Sequence, residues 1–284
     1  MIPPLKPYLY RPLVAKALEE DIGHGDITTE LTISPKAAGT GVIIAKEQGV
    51  VAGLFVAEEV FHQVDPGLEF FPKAKEGDLA DPKEVICEIR GCLASILTGE
   101  RVALNFMQRM MGIATATHRY SAALDGLDCR VVETRKTTPC LRILEKYSVR
   151  VGGGYNHRFN LSDGILIKDN HIAAAGSVHQ AVSKAKQGAP HTLLVEVEVT
   201  NLDELREALD AGADAVLLDN MGLEELREAV AFSKKVRPEV MLEASGGITL
   251  ENIRQVAETG VDIISSGALT HSVKAIDLSL EIVR

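Results

Sequence analysis

Between Gly152 and Ile172 the chain reads GGGYNHRFNLSDGILIKDNHI. That short stretch opens on three consecutive glycines and holds His157, Arg158, Lys168, Asp169, Asn170 and His171. Its apolar run GILIKDN ends abruptly in charged and amide side chains. A buried strand that delivers a cation and two polar groups at its C-terminal end has this pattern. So has a glycine-rich loop followed by a core strand with a solvated tip. The local charge is reversed here. From Glu133 to Lys168 seven basic residues (Arg135, Lys136, Arg142, Lys146, Arg150, Arg158, Lys168) face only Glu133, Glu145 and Asp163, although the formal net charge of the chain is −10. A site for a small, multiply anionic molecule produces such a reversal, and a basic helix face does too.

The same kind of ending recurs along the C-terminal half. Successive apolar runs close on Arg135/Lys136, Lys168/Asn170, Glu196/Glu198, Asp219/Asn220, Ser245/Gly246 and Ser266/Gly267. One polar strand end is ordinary, because the chain must leave for solvent. Six in succession mark the carboxyl ends of parallel strands, where α/β folds carry their function. The chemistry divides by sign. Cations come from Arg135, Lys136, His157, Arg158 and Lys168, and carboxylates from Glu196, Glu198 and Asp219. Glu196 and Glu198 are two apart and point to one side of a strand. One of them, with Glu198 nearer the strand end, is placed with Asp219 to hold a divalent cation such as Mg²⁺ through hard oxygen ligands. The turns ASGGIT and SSGALT set small residues and serine hydroxyls before helices, where free backbone N–H groups donate to phosphate. This predicts a barrel enzyme that takes an anionic, carboxylated molecule and a phosphorylated, Mg²⁺-bound one.

The elements behind these ends alternate. RVVETRK (130–136), GILIKDN (164–170), TLLVEVEV (192–199), AVLLDN (215–220), VMLEASGG (240–247) and DIISSGA (262–268) read as strands. Helical patterns over Ser177–Gln187, Leu202–Ala211, Leu223–Val236 and Leu250–Glu258 separate the later ones. Near-continuously apolar strands with such crossovers predict a parallel sheet buried on both faces, with a spacing that suits a TIM-type barrel. Before them, a helix over Tyr10–Asp21 leads to the polar turn GHGDITTE, where His24 and Asp26 read as a turn with an Asp cap. GTGVIIAKE and GVVAGL read as two short β-branched runs, Phe55–Val64 as a helix, and LEFFPKAKEGD and EVICEIRGCL as alternating strands about a turn-rich Lys75–Pro82. From Thr98 to about Leu124 a helix carries an apolar stripe of Leu97, Leu104, Met107, Met111 and Ala114. Arg101, Asn105 and Gln108 share another face of it, which reads as solvent-facing.

Composition narrows the class. Hydrophobic residues at 46% and charged residues at 25% suit a soluble globular enzyme. The negative balance argues against nucleic acid or an anionic membrane as partner. Cys87, Cys92, Cys129 and Cys140 form no C-x-x-C pair or zinc spacing and read as thiols in a reducing cytosol. No apolar run approaches the roughly 18 residues of a membrane span. MIPPLKPYLY lacks a signal-peptide core, so a cytoplasmic protein is expected.

These motifs also carry a resemblance. EDIGHGDITTE, TGERVALNFMQRMMGIAT, ETRKTTP, the Gly152–Ile172 stretch, VEVEV, LLDNM, EASGGI and SSGALTHS resemble quinolinate phosphoribosyltransferase (nicotinate-nucleotide pyrophosphorylase, carboxylating), a type II phosphoribosyltransferase family. The likeness runs over nearly the whole chain, in order and spacing. It implies an α/β fold: an incomplete TIM-like α/β barrel over about 111–271 beside a smaller N-terminal α+β, sandwich-like domain over 1–110, with the tail from about 272 to 284 a candidate to pack with the latter. It implies a pentosyltransferase that joins quinolinate to phosphoribosyl pyrophosphate with Mg²⁺, releasing pyrophosphate and CO₂ and giving nicotinate mononucleotide for NAD synthesis. By the same resemblance Arg101, Arg135, Lys136, His157, Arg158 and Lys168 bind quinolinate, Arg101 from the partner subunit of a homodimer or higher homo-oligomer. Glu198, Asp219, Ser245, Gly246, Gly267 and His271 bind phosphoribosyl pyrophosphate. Lys136, Lys168, Glu198 and Asp219 are the catalytic candidates, and Glu198 and Asp219 would meet Mg²⁺ directly or through water. Three rivals stand beside this: a related phosphoribosyltransferase for another pyridine carboxylate, a Schiff-base aldolase using Lys168, and a non-catalytic phosphosugar-binding barrel.

Overall fold

The computed structural model describes Pro3 and residues 5–283. Met1, Ile2, Pro4 and Arg284 lie outside the described residues, so the expectations for the first residues and for the very end of the tail fall partly there. The first elements are α1 (Pro7–Ile22), α2 (Ile27–Thr32), β1 (Ala38–Ala45), β2 (Gly49–Val50), α3 (Leu54–Val64), β3 (Glu69–Pro72), β4 (Leu79–Ala80), β5 (Val85–Cys92) and α4 (Leu93–Ala123). Then come β6 (Arg130–Val132), α5 (Arg142–Val151), β7 (Ile165–Ile167), α6 (Asp169–Ala175), α7 (Val178–Gly188), β8 (Val195–Val199), α8 (Leu202–Asp210) and β9 (Ala215–Asp219). The chain ends with α9 (Leu223–Val236), β10 (Met241–Ser245), α10 (Ile253–Ala257), β11 (Ile263–Ser265), α11 (Ala268–His271) and β12 (Leu278–Val283). Two compact units result. One gathers the segments up to His118, Thr137–Gly153 and from Leu269 onward; the other is Arg119–Lys136 with Gly154–Ala268.

The first unit is built on an antiparallel sheet of order β12-β1-β5-β3. The C-terminal strand β12 pairs along β1, from Ala45 opposite Leu278 to Thr40 opposite Val283. Val14, Ile43, Val60, Phe61, Ile86, Ile89, Leu104, Met107 and Leu144 belong to one buried apolar cluster. The polar turn holds its Asp cap: the Asp26 carboxylate accepts the Thr29 N–H at 3.0 Å and starts the short α2. Three expectations change. The run GVVAGL keeps only Gly49–Val50 as strand, because Gly53 turns to φ +98° and α3 begins at Leu54. The long helix starts at Leu93 rather than Thr98, directly after β5. Helix α5 was not anticipated; it lies within the cation-rich stretch yet belongs to this unit. Gly152 at its end is required by close approach, since a Cβ there would run into the Ala114 carbonyl oxygen of α4.

The second unit is a six-stranded, wholly parallel sheet of order β6-β11-β10-β9-β8-β7. From β7 to β11 each strand lies beside the next in sequence, and the last pairs with the first: Ile263 with Arg130, Ser265 with Val132. That is the cyclic order of a barrel with one seam left open, between β6 and β7. At the open side of β6 the loop residue Tyr155 makes an isolated parallel bridge to Val132. Val195, Val197, Val199, Val216, Leu218, Leu242 and Ile264 are buried, as the apolar runs require. Helix α10 is shorter than expected, Ile253–Ala257 in place of Leu250–Glu258. Asn252 holds the preceding residues in a turn, accepting the Thr249 N–H and donating to the Gly247 carbonyl, both at 2.9 Å.

Candidate active site

In the second unit the strand ends carry charged and polar side chains. Lys168 directly follows β7 and is the N-cap of α6, where its backbone N–H donates to His171 Nδ1 at 3.0 Å. Its ammonium pairs with the Glu198 carboxylate of β8. Glu196 and Glu198 are half-buried between the buried Val195, Val197 and Val199, so both project from one side of β8. Their partners differ: Glu198 meets Lys168, while Glu196 Oε2 lies 3.4 Å from His157 Nε2.

His157 and Arg158 arrive on the loop after Gly154. The His157 backbone N–H donates to the fully buried Glu133 carboxylate at 3.2 Å, which ties this loop to the end of β6. The Arg158 guanidinium donates to the Gly164 carbonyl at 2.9 Å. Burial lowers the pKa of this guanidinium, the nearby positive charge of Arg135 lowers it further, and Glu196 opposes the shift. Like charges that repel in this way favour an anion beside them. Arg135 and Lys136 are exposed beyond the end of β6.

Asp219 closes β9 and accepts the Asn220 side-chain N–H at 2.8 Å. Asn220 itself adopts φ +55°, held by its backbone N–H to the Ser245 carbonyl at 2.8 Å. That neighbour explains Gly246, at φ +93°: a Cβ there would strike the Asn220 side-chain oxygen. Ser245 stands in register with both Asp219 and Ser265. A cavity of about 230 Å³ opens beside this turn, walled by Leu218, Met221, Leu223, Ser245, Gly246 and Asn252. Gly267 lies just before the short α11.

Two expected site residues belong to the first unit. Arg101 projects from α4 with more than half its side chain exposed and Glu100 as ionic neighbour at 3.9 Å. His271 ends α11, with its Nδ1 2.6 Å from the Ser272 hydroxyl. On the Arg101 face of α4, Gln108 is turned to a structural task, donating to the Leu278 carbonyl at 3.1 Å. Sequence reasoning passed over two acids of the second unit. Glu133 orders the His157 loop, and Glu243 places Oε2 3.5 Å from His157 Nε2. The available signal was a carboxylate inside an apolar strand, in VMLEAS and RVVE.

Comparison with known proteins places this arrangement. Residues 26–111 match the model for the quinolinate phosphoribosyl transferase N-terminal domain and residues 113–281 that for its C-terminal domain. A probable nicotinate-nucleotide pyrophosphorylase [carboxylating] of Bacillus subtilis is 47% identical over 263 residues, 93% of this chain and 90% of that protein. The probable enzyme of the same name from Methanocaldococcus jannaschii is 44% identical, covering 99% of each chain. The structure of the nicotinate-nucleotide pyrophosphorylase from Francisella tularensis superposes with a TM-score of 0.93 at 41% identity, over 99% of this chain and 98% of that one.

Proposed function

This chain belongs to the quinolinate phosphoribosyltransferase family, and on that premise we propose that it joins quinolinate to phosphoribosyl pyrophosphate. The products are nicotinate mononucleotide, pyrophosphate and CO₂, a step of NAD biosynthesis. The observation that carries this reading is one unit in which Lys168 pairs with Glu198 at the end of β8, Asp219 closes β9, and Arg158 enters on the loop after Gly154, where it feels the charge of Arg135. Quinolinate has two adjacent carboxylates, and planar guanidinium forks suit them better than ammonium groups alone. Arg135, Lys136, His157, Arg158 and Lys168 hold the dicarboxylate. Ser245, Gly246 and Gly267 hold the 5′-phosphate.

The ring nitrogen of quinolinate forms the bond to C1′ as the C1′–oxygen bond to pyrophosphate breaks. Glu198 and Asp219 face the positive charge that develops on the ribose. Holding both substrates in register supplies much of the rate, on the order of several kcal/mol. In the second step the bond from C2 to its carboxylate breaks. The electron pair stays on C2 beside the positively charged ring nitrogen, CO₂ leaves, and a proton takes its place. The donor set of Glu198 and Asp219 is hard oxygen, which fits Mg²⁺. Glu198 is already engaged by Lys168, which favours contact through water or substrate oxygens, while Asp219 keeps an oxygen beyond its Asn220 bond. Bound Mg²⁺ supplies charge neutralisation for the pyrophosphate.

The working unit we infer is a homodimer in which Arg101 completes the partner's dicarboxylate pocket; its exposure supports this. A cytoplasmic setting agrees with four free cysteines, and no described helix is long and apolar enough to cross a membrane. A Schiff base requires a free amine on Lys168, and its pairing with Glu198 argues against that reading. Incubation with quinolinate, phosphoribosyl pyrophosphate and Mg²⁺ should yield nicotinate mononucleotide; consumption of nicotinate with quinolinate left untouched would favour the other pyridine carboxylate.

A further inference from the structure

Glu243 has no part in the reaction above, yet its placement is specific. It occupies the middle of β10, 3% exposed, between Leu242 and Ala244. Side chains from alternate strands of a parallel barrel share a layer, and β8 and β10 bring Glu196 and Glu243 to one imidazole. His157 Nε2 is 3.4 Å from Glu196 Oε2 and 3.5 Å from Glu243 Oε2. The other ring nitrogen is committed, since Nδ1 accepts the Arg158 backbone N–H at 2.7 Å. A ring whose Nδ1 accepts carries its proton on Nε2, the nitrogen nearer the two carboxylates. Glu243 Oε1 is buried with no hydrogen-bond partner among the described residues. A carboxylate left half-satisfied inside an apolar strand opposes folding, and a leucine there would not.

These three ligand atoms lie within 4.8 Å of one another, as a metal site would need. The cations around them oppose that use: Lys168 acts on Glu243, and Arg158 feels Glu196. We propose that Glu243 is a positioning residue for quinolinate binding, which fixes the tautomer and orientation of His157. This rests on the reaction assigned above. Burial pushes the Glu243 carboxyl up to about 7, with Glu196 adding to the effect and His157 and Lys168 opposing it. The group therefore adds less negative charge beside a dianion's pocket than a surface glutamate would.

Two variants separate this role from packing. Glu243→Leu keeps the volume, and exchanging a poorly paired buried carboxylate for an apolar side chain is neutral or stabilising. Glu243→Gln keeps an acceptor for the Nε2 proton. In Glu243→Leu the melting temperature should not fall, and the His157 ¹⁵N signals should show both tautomers. Its KM for quinolinate should rise about tenfold or more while kcat and the KM for phosphoribosyl pyrophosphate stay within about threefold. Glu243→Gln should restore the single tautomer and the KM. A folded Glu243→Leu with His157 still in the Nε2–H form and an unchanged KM overturns the proposal. Mixed tautomers in Glu243→Gln contradict it as well, whether or not the leucine variant folds. Wild-type protein that turned over no quinolinate would sink the reaction assignment instead, and the tautomer comparison would still judge Glu243.

Discussion

At the scale of single residues, the electrostatic case rests on Arg158. Its guanidinium loses solvent, sits near a second guanidinium and has Glu196 as a counter-charge. A dianion between the two arginines relieves that cost, so binding energy should concentrate there. Arg158→Ala should lower kcat/KM for quinolinate about a hundredfold or more with the circular dichroism spectrum unchanged. Arg158→Lys should recover only part, because a point charge does not replace a fork. A near-normal kcat/KM in the alanine variant removes Arg158 from the pocket. The residues legible in the sequence are those whose charge is out of place for their position. Lys168, Glu198 and Asp219 end apolar runs, and Arg158 follows a glycine-rich loop. Glu133 and Glu243 escaped notice because they sit inside the strand pattern, where a single acid looks like an interruption. Their role depends on His157, which is distant from both in sequence.

At the scale of elements, strands were readable and short helices were not. All six parallel strands fall within the apolar runs, since strands buried on both faces must be nearly continuously apolar. Helix α5 mixes Arg142, Glu145, Lys146 and Arg150 into its apolar face, and Glu145 and Lys146 are buried. A pattern reading takes such charges for solvent contacts. Burial of Glu145 is met by Arg109, whose Nε donates to it at 2.8 Å, and by the Thr138 N–H at 3.1 Å. A half-buried acid sets a pH dependence. Glu76 caps the start of α3, accepting from the Gly53 and Leu54 N–H groups at 2.9 and 2.8 Å. Burial nevertheless pushes its carboxyl from 4.5 up to about 7. A carboxyl raised on folding holds more protons in the folded state, so its contribution is present at low pH and lost as pH rises from 4.5 towards 7. Urea unfolding across that range should show stability falling for this term, and Glu76→Gln should flatten the slope. An unchanged slope in the variant would assign the dependence to other groups.

At the scale of the molecule, the chain folds as two units, and Arg101 of the first is more than half exposed, with its sequence neighbour Glu100 at 3.9 Å. If a partner's pocket is what Arg101 serves, two dead chains can make one live site. Co-expressed Arg101→Ala and Lys168→Ala chains, each inactive alone, should regain up to about a quarter of wild-type activity in statistically mixed dimers. Absence of rescue in confirmed mixed dimers contradicts the shared site. Quinolinate labelled in one carboxylate at a time tests whether glycosyl transfer and decarboxylation are coupled. Label at the 2-carboxylate should leave as CO₂ in equal amount to the pyrophosphate released, and label at the 3-carboxylate should remain in nicotinate mononucleotide. Pyrophosphate released without labelled CO₂, or label lost from the 3-position, would contradict the account.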